Sequence, residues 1–215
     1  MTPETLEIRD RCRQNLIGYL KKAISFLPEL YHPLILDMGC GTGVPAIALA
    51  EHTGGTIYAV DNNEQVIEHL KKKIESLGLA ERIVVYQHSV FQMAFPEDHF
   101  DLVIAEGLLN VIGFKPGIAL AGNFLKDGGY FIIHDEYRDQ KRKLNMLQKN
   151  GYTLIGSVVL DEQVWWNEYY QCLEFQLQNF DNEIVIKRFG DEFREIAQYK
   201  QQPGLFRSAY YILKK

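Results

Sequence analysis

The chain has 215 residues, 47% of them apolar and 24% charged, with a formal net charge of −5. That balance excludes an intrinsically disordered chain, and its acidity argues against a protein that tracks a phosphate backbone. The length suits a single domain with a sizeable core, and no apolar run reaches the roughly 18 residues of a membrane span.

The first predicted element is a helix. Thr2 suits its cap and Pro3 its first turn, and Leu6, Cys12, Leu16, Tyr19, Leu20, Ala23 and Leu27 form an apolar stripe. No apolar leader precedes it, so a cytoplasmic location is expected. The three cysteines, Cys12, Cys40 and Cys172, form no CxxC pair and read as free thiols. No metal site is expected.

After Pro28 and Pro33, apolar runs alternate with helical patterns: "LILDM", a helix over 44–52, "TIYAVD", a helix over 63–77, "RIVVYQ", "FDLVIAE", a helix over about 116–125, "YFIIHDE", a helix over 138–149, and "YTLIGSVVL". β-rich runs separated by helices predict a mostly parallel sheet covered on both faces. The alternation breaks at residues 161–203. That stretch carries an aromatic helical pattern, "EQVWWNEYYQCLEFQLQNF", and a second helix from about Glu183 to Lys200. It reads as a helical cap inserted before a terminal strand, "FRSAYYILKK", that would close an antiparallel hairpin at one sheet edge.

The chemistry concentrates in "LDMGCGTGVPAIALA", residues 36–50, where Gly39, Gly41 and Gly43 alternate between a strand and a helix. Glycines there let a ligand lie against bare backbone at the carboxyl end of the sheet. The spacing is GxGxG, not the GxGxxG of dinucleotide sites, no GK[ST] follows, and Asp37 stands two residues ahead of the first glycine. Asp61 ends the second strand, where a carboxylate can accept both hydroxyls of a ribose.

These residues resemble the class I S-adenosylmethionine-dependent methyltransferases. "LDMGCGTG" is similar to that family's first motif, and "QHSVFQMAFPEDHFDLVIAEGLL" and "FLKDGGYFIIHDE" follow in the family's order. The resemblance implies a doubly wound α/β fold: a mostly parallel seven-stranded, Rossmann-like sheet with an antiparallel edge strand, in a single domain over residues 1–215 with its helical cap at 161–203. It implies S-adenosylmethionine as cofactor. Gly39, Gly41 and Gly43 would surround its methionine and ribose, Asp37 would orient its ammonium, Asp61 would hold the ribose, and Asn62 would lie beside the adenine. Where the family often has an acid for the adenine amino group this chain has Ser89, so Ser89 and Val90 would act through backbone. Ala105 and Glu106 would lie next to the transferred methyl.

The acceptor is expected to be a small molecule, neutral or cationic, with no nucleic-acid or membrane partner. "AEGLLNVIGF" lacks the Asn/Asp-Pro-Pro-aromatic motif of amino-methylating nucleic-acid enzymes. Glu106 is the candidate base, and Asn110, Trp165 and Tyr169 are the candidate acceptor contacts. Trp165 and Tyr169, four apart, would share one helix face, as would Trp166 and Tyr170, and one of the two pairs should be core. His134, inside an apolar run, reads as a core histidine. A protein or RNA methyltransferase, or a non-catalytic cofactor-binding module, are the alternative readings.

Overall fold

A computed structural model describes residues 2–178, 180 and 189–215. Seven strands form one sheet: β1 (Leu34–Met38), β2 (Thr56–Asp61), β3 (Ile83–Gln87), β4 (Phe100–Glu106), β5 (Leu125–Glu136), β6 (Thr153–Leu160) and β7 (Ser208–Lys214). Their order is β3-β2-β1-β4-β5-β7-β6. The pairings among β1 to β5 are parallel, and β7 runs antiparallel to both β5 and β6. This is the expected doubly wound fold. The order reverses beside β1, so β1 and β4 lead into helices on opposite faces and leave a crevice at their carboxyl ends.

One face is covered by α1 (Pro3–Arg13), α2 (Ile17–Ile24), α3 (Val44–His52) and α4 (Glu64–Ser76), whose buried side chains include Leu20, Leu49 and Leu70. Short α5 (Leu109–Ile112), α6 (Phe114–Phe124) and α7 (Gln140–Lys149) cover the other, through Ile118, Phe124 and Leu147. The predicted N-terminal stripe is buried or packed on the core, but the helix is not continuous. A 3₁₀ turn at Gln14–Leu16 divides it. Thr2 caps α1, its hydroxyl accepting from the Thr5 backbone N–H at 3.3 Å.

Between β6 and β7 the chain forms α8 (Glu162–Val164), a π-helical turn (Trp165–Tyr170), α9 (Gln171–Leu177) and, later, α10 (Gly190–Gln201). Residues 183–188 of the expected second helix lie outside the described residues. The insertion packs on the same side of the sheet as α1 and α2: Tyr170, Leu173, Leu177 and Ile196 join their core.

The expectation of three free thiols is corrected here. Cys12 of α1 and Cys172 of α9 form a disulfide with Cα atoms 5.6 Å apart, and Cys40 alone is free, and buried. The partners are 160 residues apart in sequence. Spacing therefore carried no signal; docking of the insertion onto α1 brings them together. Closing so long a loop restricts the unfolded chain, and such links are worth about 2–4 kcal/mol. Dithiothreitol, or Cys172→Ser, should lower the unfolding free energy by about that amount in urea titrations. Equal stability with and without reductant would contradict the link.

Candidate active site

The glycine turn after β1 is shaped by left-handed backbone. Gly39, Gly41 and Gly43 have φ of 71°, 53° and 76°, a region that side chains with a Cβ rarely adopt. Their neighbours differ. A Cβ on Gly39 would sit 2.8 Å from Leu108 Cδ1, and one on Gly43 would sit 2.2 Å from Leu70 Cδ1. Gly43 therefore serves close packing of α3 on α4, whereas Gly39 and Gly41 face the crevice.

The turn is held from both sides. Asp61, at the end of β2, accepts the Gly41 backbone N–H on Oδ2 at 3.0 Å and the Asn63 N–H on Oδ1 at 2.9 Å. From the other side comes Asp10 of α1, which is buried. The Thr42 hydroxyl donates to its Oδ1, while Lys73 Nζ and His69 Nε2 lie 2.6 and 3.0 Å from its Oδ2. Lys73 also donates to the Thr42 carbonyl at 2.8 Å, so the hydroxyl and the carbonyl of Thr42 are both held.

Two chambers meet at Gly39. The first, about 50 Å3, is lined by Asp37, Gly39, Gly41, Thr42, Arg13 and Glu106 among others. The second, about 160 Å3, gathers Gly39, Asp61, Asn62, Ser89 and Val90 with the apolar Leu108 and Ile112. Of the residues expected around the cofactor, only Gly43 and Ala105 line neither; Ala105 is fully buried within β4.

Asp37 lines the small chamber, and its Oδ2 is buried and, among the described residues, has no hydrogen-bond partner. Burial pushes the carboxyl well above its usual range, the nearby Glu106 and Asp61 charges push the same way, and Arg13 opposes them. Glu106 is better supplied. Tyr210 donates to its Oε1 at 2.6 Å and Arg13 Nη2 donates to its Oε2 at 3.1 Å. Burial still raises its pKa, against the pull of Arg13 and Tyr210.

Strand register explains this cluster. Glu106 is opposite His134 across β4 and β5, and His134 is opposite Tyr210 across β5 and β7. The three side chains thus form a row on one face at the carboxyl end of the sheet. His134 and Tyr210 stack at 4.1 Å between ring centroids.

A third chamber, of about 430 Å3, lies beyond Arg13 and Gly107. Its walls include Asn110 and His134 from the sheet side and Trp165, Tyr170 and Phe206 from the insertion. Tyr169 does not line it: the ring is buried and packs edge-on against Trp165 and Tyr170. Trp165 and Tyr169 do pack together, 5.9 Å between ring centroids, though in a π turn and not an α-helix. The neighbour that lines the chamber with Trp165 is Tyr170, 6.1 Å between ring centroids. Trp166 points elsewhere, stacked on Tyr199 at 5.3 Å.

Sequence reasoning missed Arg13, Tyr210 and Ser208, and it read His134 as core filling. His134 is indeed buried, but it is also a chamber wall, with Nε2 2.8 Å from Ser208 Oγ, which in turn accepts from Trp165 Nε1 at 3.0 Å. No local pattern marks Arg13 or Tyr210; their partners lie 93 and 104 residues away. Among the described residues, no cluster of His, Cys, Asp and Glu could hold a metal ion. Nor, among them, is any helix long and apolar enough to cross a membrane.

Burial, seconded by the Arg13 charge, lowers the His134 pKa to about 3. Its unfolded value is near 6.5, so between pH 6.5 and 3 the unfolded chain binds the extra proton and folding stability falls as pH falls. The slope is about 1.4 kcal/mol per pH unit, or about 2 kcal/mol lost by pH 5. The raised carboxyls Asp37 and Glu106 act in the opposite sense, and they are common to wild type and variant. Urea unfolding at pH 7 and pH 5 should therefore show His134→Asn losing about 2 kcal/mol less than wild type over this range. Identical pH dependence would contradict a neutral, buried His134.

Comparisons with known proteins agree on the family. A family model described as "Methyltransferase domain" matches residues 33–177. A sterol 24-C-methyltransferase of Pneumocystis carinii is 29% identical over 102 residues, covering 47% of this chain and 27% of that protein. A ubiquinone/menaquinone biosynthesis C-methyltransferase of Psychromonas ingrahamii is 29% identical over 160 residues, 71% of this chain and 62% of that one. The chain thus spans well under half the length of the sterol enzyme, and less than two thirds of the quinone enzyme. Among solved structures, a SAM-dependent methyltransferase from Geobacter sulfurreducens in complex with S-adenosyl-L-homocysteine superposes with a TM-score of 0.73. It shares 18% identity, and the match covers 91% of this chain and 90% of that one, a likeness of fold.

Proposed function

The chain belongs to the methyltransferase domain family, and on that premise we propose that it transfers a methyl group from S-adenosylmethionine to a small-molecule acceptor held in the 430 Å3 chamber. The observation that carries this reading is the buried Asp37 Oδ2, without a hydrogen-bond partner among the described residues, beside a turn whose Gly39 holds a left-handed φ of 71°. A buried acceptor without a donor is rare in a folded protein and costs about 1–3 kcal/mol. An amino-acid ammonium supplies the missing hydrogen bond and the missing positive charge at once.

The residues fit the rest of the cofactor too. Asp61 keeps acceptor capacity beyond its two backbone donors, because a carboxylate offers about four lone-pair sites. It stands where a ribose reaches the end of β2. Asn62, Ser89 and Val90 edge the adjoining chamber, and Leu108 and Ile112 give a purine an apolar floor. When bound, S-adenosylmethionine supplies a methyl on a sulfonium, an electrophile that needs no metal.

This chain's part is orientation and proton handling. Arg13 lines both the small chamber and the large one, and so stands between cofactor and acceptor. Trp165, Tyr170 and Phe206 give the acceptor an apolar, water-excluding wall under the insertion, which acts as a cap. Fixing acceptor and methyl in reacting geometry is worth up to about 7–11 kcal/mol of barrier in favourable systems. Glu106 takes the acceptor's proton if it has one to lose. Burial raises its pKa and so makes it a stronger base than a free carboxylate, and Tyr210 and Arg13 orient its two oxygens.

A screen of small acids, phenols and amines with S-adenosylmethionine, read by product mass, tests the activity. Calorimetry tests the site. Asp61→Ala should weaken S-adenosylhomocysteine binding by about 1.5–3 kcal/mol, roughly tenfold to a hundredfold or slightly more, in a protein that still folds. An unchanged dissociation constant would remove Asp61 from the cofactor site.

A further inference from the structure

The wall of the large chamber carries three acids, Asp135, Glu136 and Glu195, and three arginines, Arg13, Arg138 and Arg207, but they are not evenly paired. Each acid already has a partner. Asp135 is paired with Lys143 at 3.0 Å, Glu136 with Arg138 at 2.6 Å, and Glu195 takes the Tyr170 hydroxyl at 2.9 Å with Arg9 4.0 Å away. Arg13 is held by Glu106. Arg207 differs. It lines the chamber, yet among the described residues no carboxylate pairs with its guanidinium, whose carbon lies 4.4 Å from the centroid of the Tyr137 ring.

A cation over an aromatic face is held by the ring without using its N–H donors, which stay available. A fork of donors held this way matches a carboxylate or a phosphate, which it can engage with two parallel hydrogen bonds. The nearby walls, Trp165 and Phe206, are aromatic, and His134 is held neutral, so neither repels an anion. An ammonium would find Asp135 and Glu136 already paired and only Glu195 loosely held, and would meet the charge of Arg207 as well.

We propose that the methyl acceptor is an organic acid, its apolar or planar body against Trp165 and Phe206 and its carboxylate or phosphate group on Arg207. This rests on the methyl-transfer reading only for the word acceptor; the anion site stands on the chamber itself. It reverses the expectation of a neutral or cationic acceptor, because Arg207 follows a Pro-Gly turn and a 3₁₀ segment, Pro203–Phe206, and nothing local marks it as unpaired.

The test uses the full chain and three probes that share one phenol ring: 4-hydroxyphenylacetate, tyramine and tyrosol, ending in an acid, an amine and an alcohol. Binding is read by tryptophan fluorescence and calorimetry, with and without S-adenosylhomocysteine. The acid should bind at least about tenfold more tightly than the amine or the alcohol. Arg207→Gln should bring it down to the alcohol's level, and Arg207→Lys should retain part of the preference. Phenylacetate against phenyl phosphate tells a carboxylate site from a phosphate site. Tightest binding of the amine, no binding of any acid, or an acid affinity untouched by Arg207→Gln would overturn the proposal. Failure of S-adenosylhomocysteine to bind, with the acid preference intact, would overturn the methyl-transfer reading and leave the anion site standing.

Discussion

Asp37 is buried and the Glu106 side chain nearly so at the same end of the sheet; Arg13 pairs with Glu106, and its charge also acts on Asp37. Removing a charge from water costs several kcal/mol unless a partner and hydrogen bonds replace the lost hydration. Glu106 has them, from Arg13 and Tyr210; Asp37 Oδ2 does not. A protein that carries such an imbalance at the switch point of a parallel sheet is poised to bind a positively charged group. The glycine turn that exposes bare backbone beside Asp37, and the anchoring of that turn by Asp61 and Asp10, are the geometry that makes the imbalance usable.

The first helix has more influence on this crevice than its place at the edge of the sequence suggests. It lies before residue 33, where the match to the methyltransferase domain begins. Yet within four residues it supplies Asp10 to the glycine turn, Cys12 to the insertion and Arg13 to Glu106. Arg9 of the same helix pairs with Glu192 of α10 at 2.8 Å. A short 3₁₀ turn further on, Asn15 donates to the Glu168 carbonyl at 2.8 Å. The helix therefore fastens the insertion, the turn and the end of β4 to one another, and any motion that opens the small chamber must loosen some of these contacts.

The parts of this molecule that were legible in the sequence are those whose signal is local. The run from Leu36 through Gly43 states a strand, a turn and a helix in order, and Asp61 closes the next strand as the pattern of alternation requires. The mostly parallel sheet and the terminal hairpin follow from the same periodicity, and the seven-stranded arrangement is what the family resemblance implied. What stayed hidden depends on long-range register or docking. Tyr210 reaches Glu106 only because β7 inserts antiparallel beside β5, and Arg13 reaches it only because α1 crosses the crevice. The Cys12–Cys172 link has the same cause. In the aromatic segment Trp165 and Tyr169 do pack together, but the chain winds there as a π turn, and it is Tyr170 that lines the large chamber with Trp165. Nothing in "WWNEYY" distinguishes the two windings.

The central claim is that the unmet charge of Asp37 is a cofactor's binding determinant. Calorimetric titration of S-adenosylhomocysteine into the wild-type protein and into Asp37→Asn tests it most directly. The account predicts binding to the wild type and a loss of at least about tenfold in the variant, because asparagine keeps the shape and removes the charge. Equal affinity in the two proteins, with both folded, would contradict it.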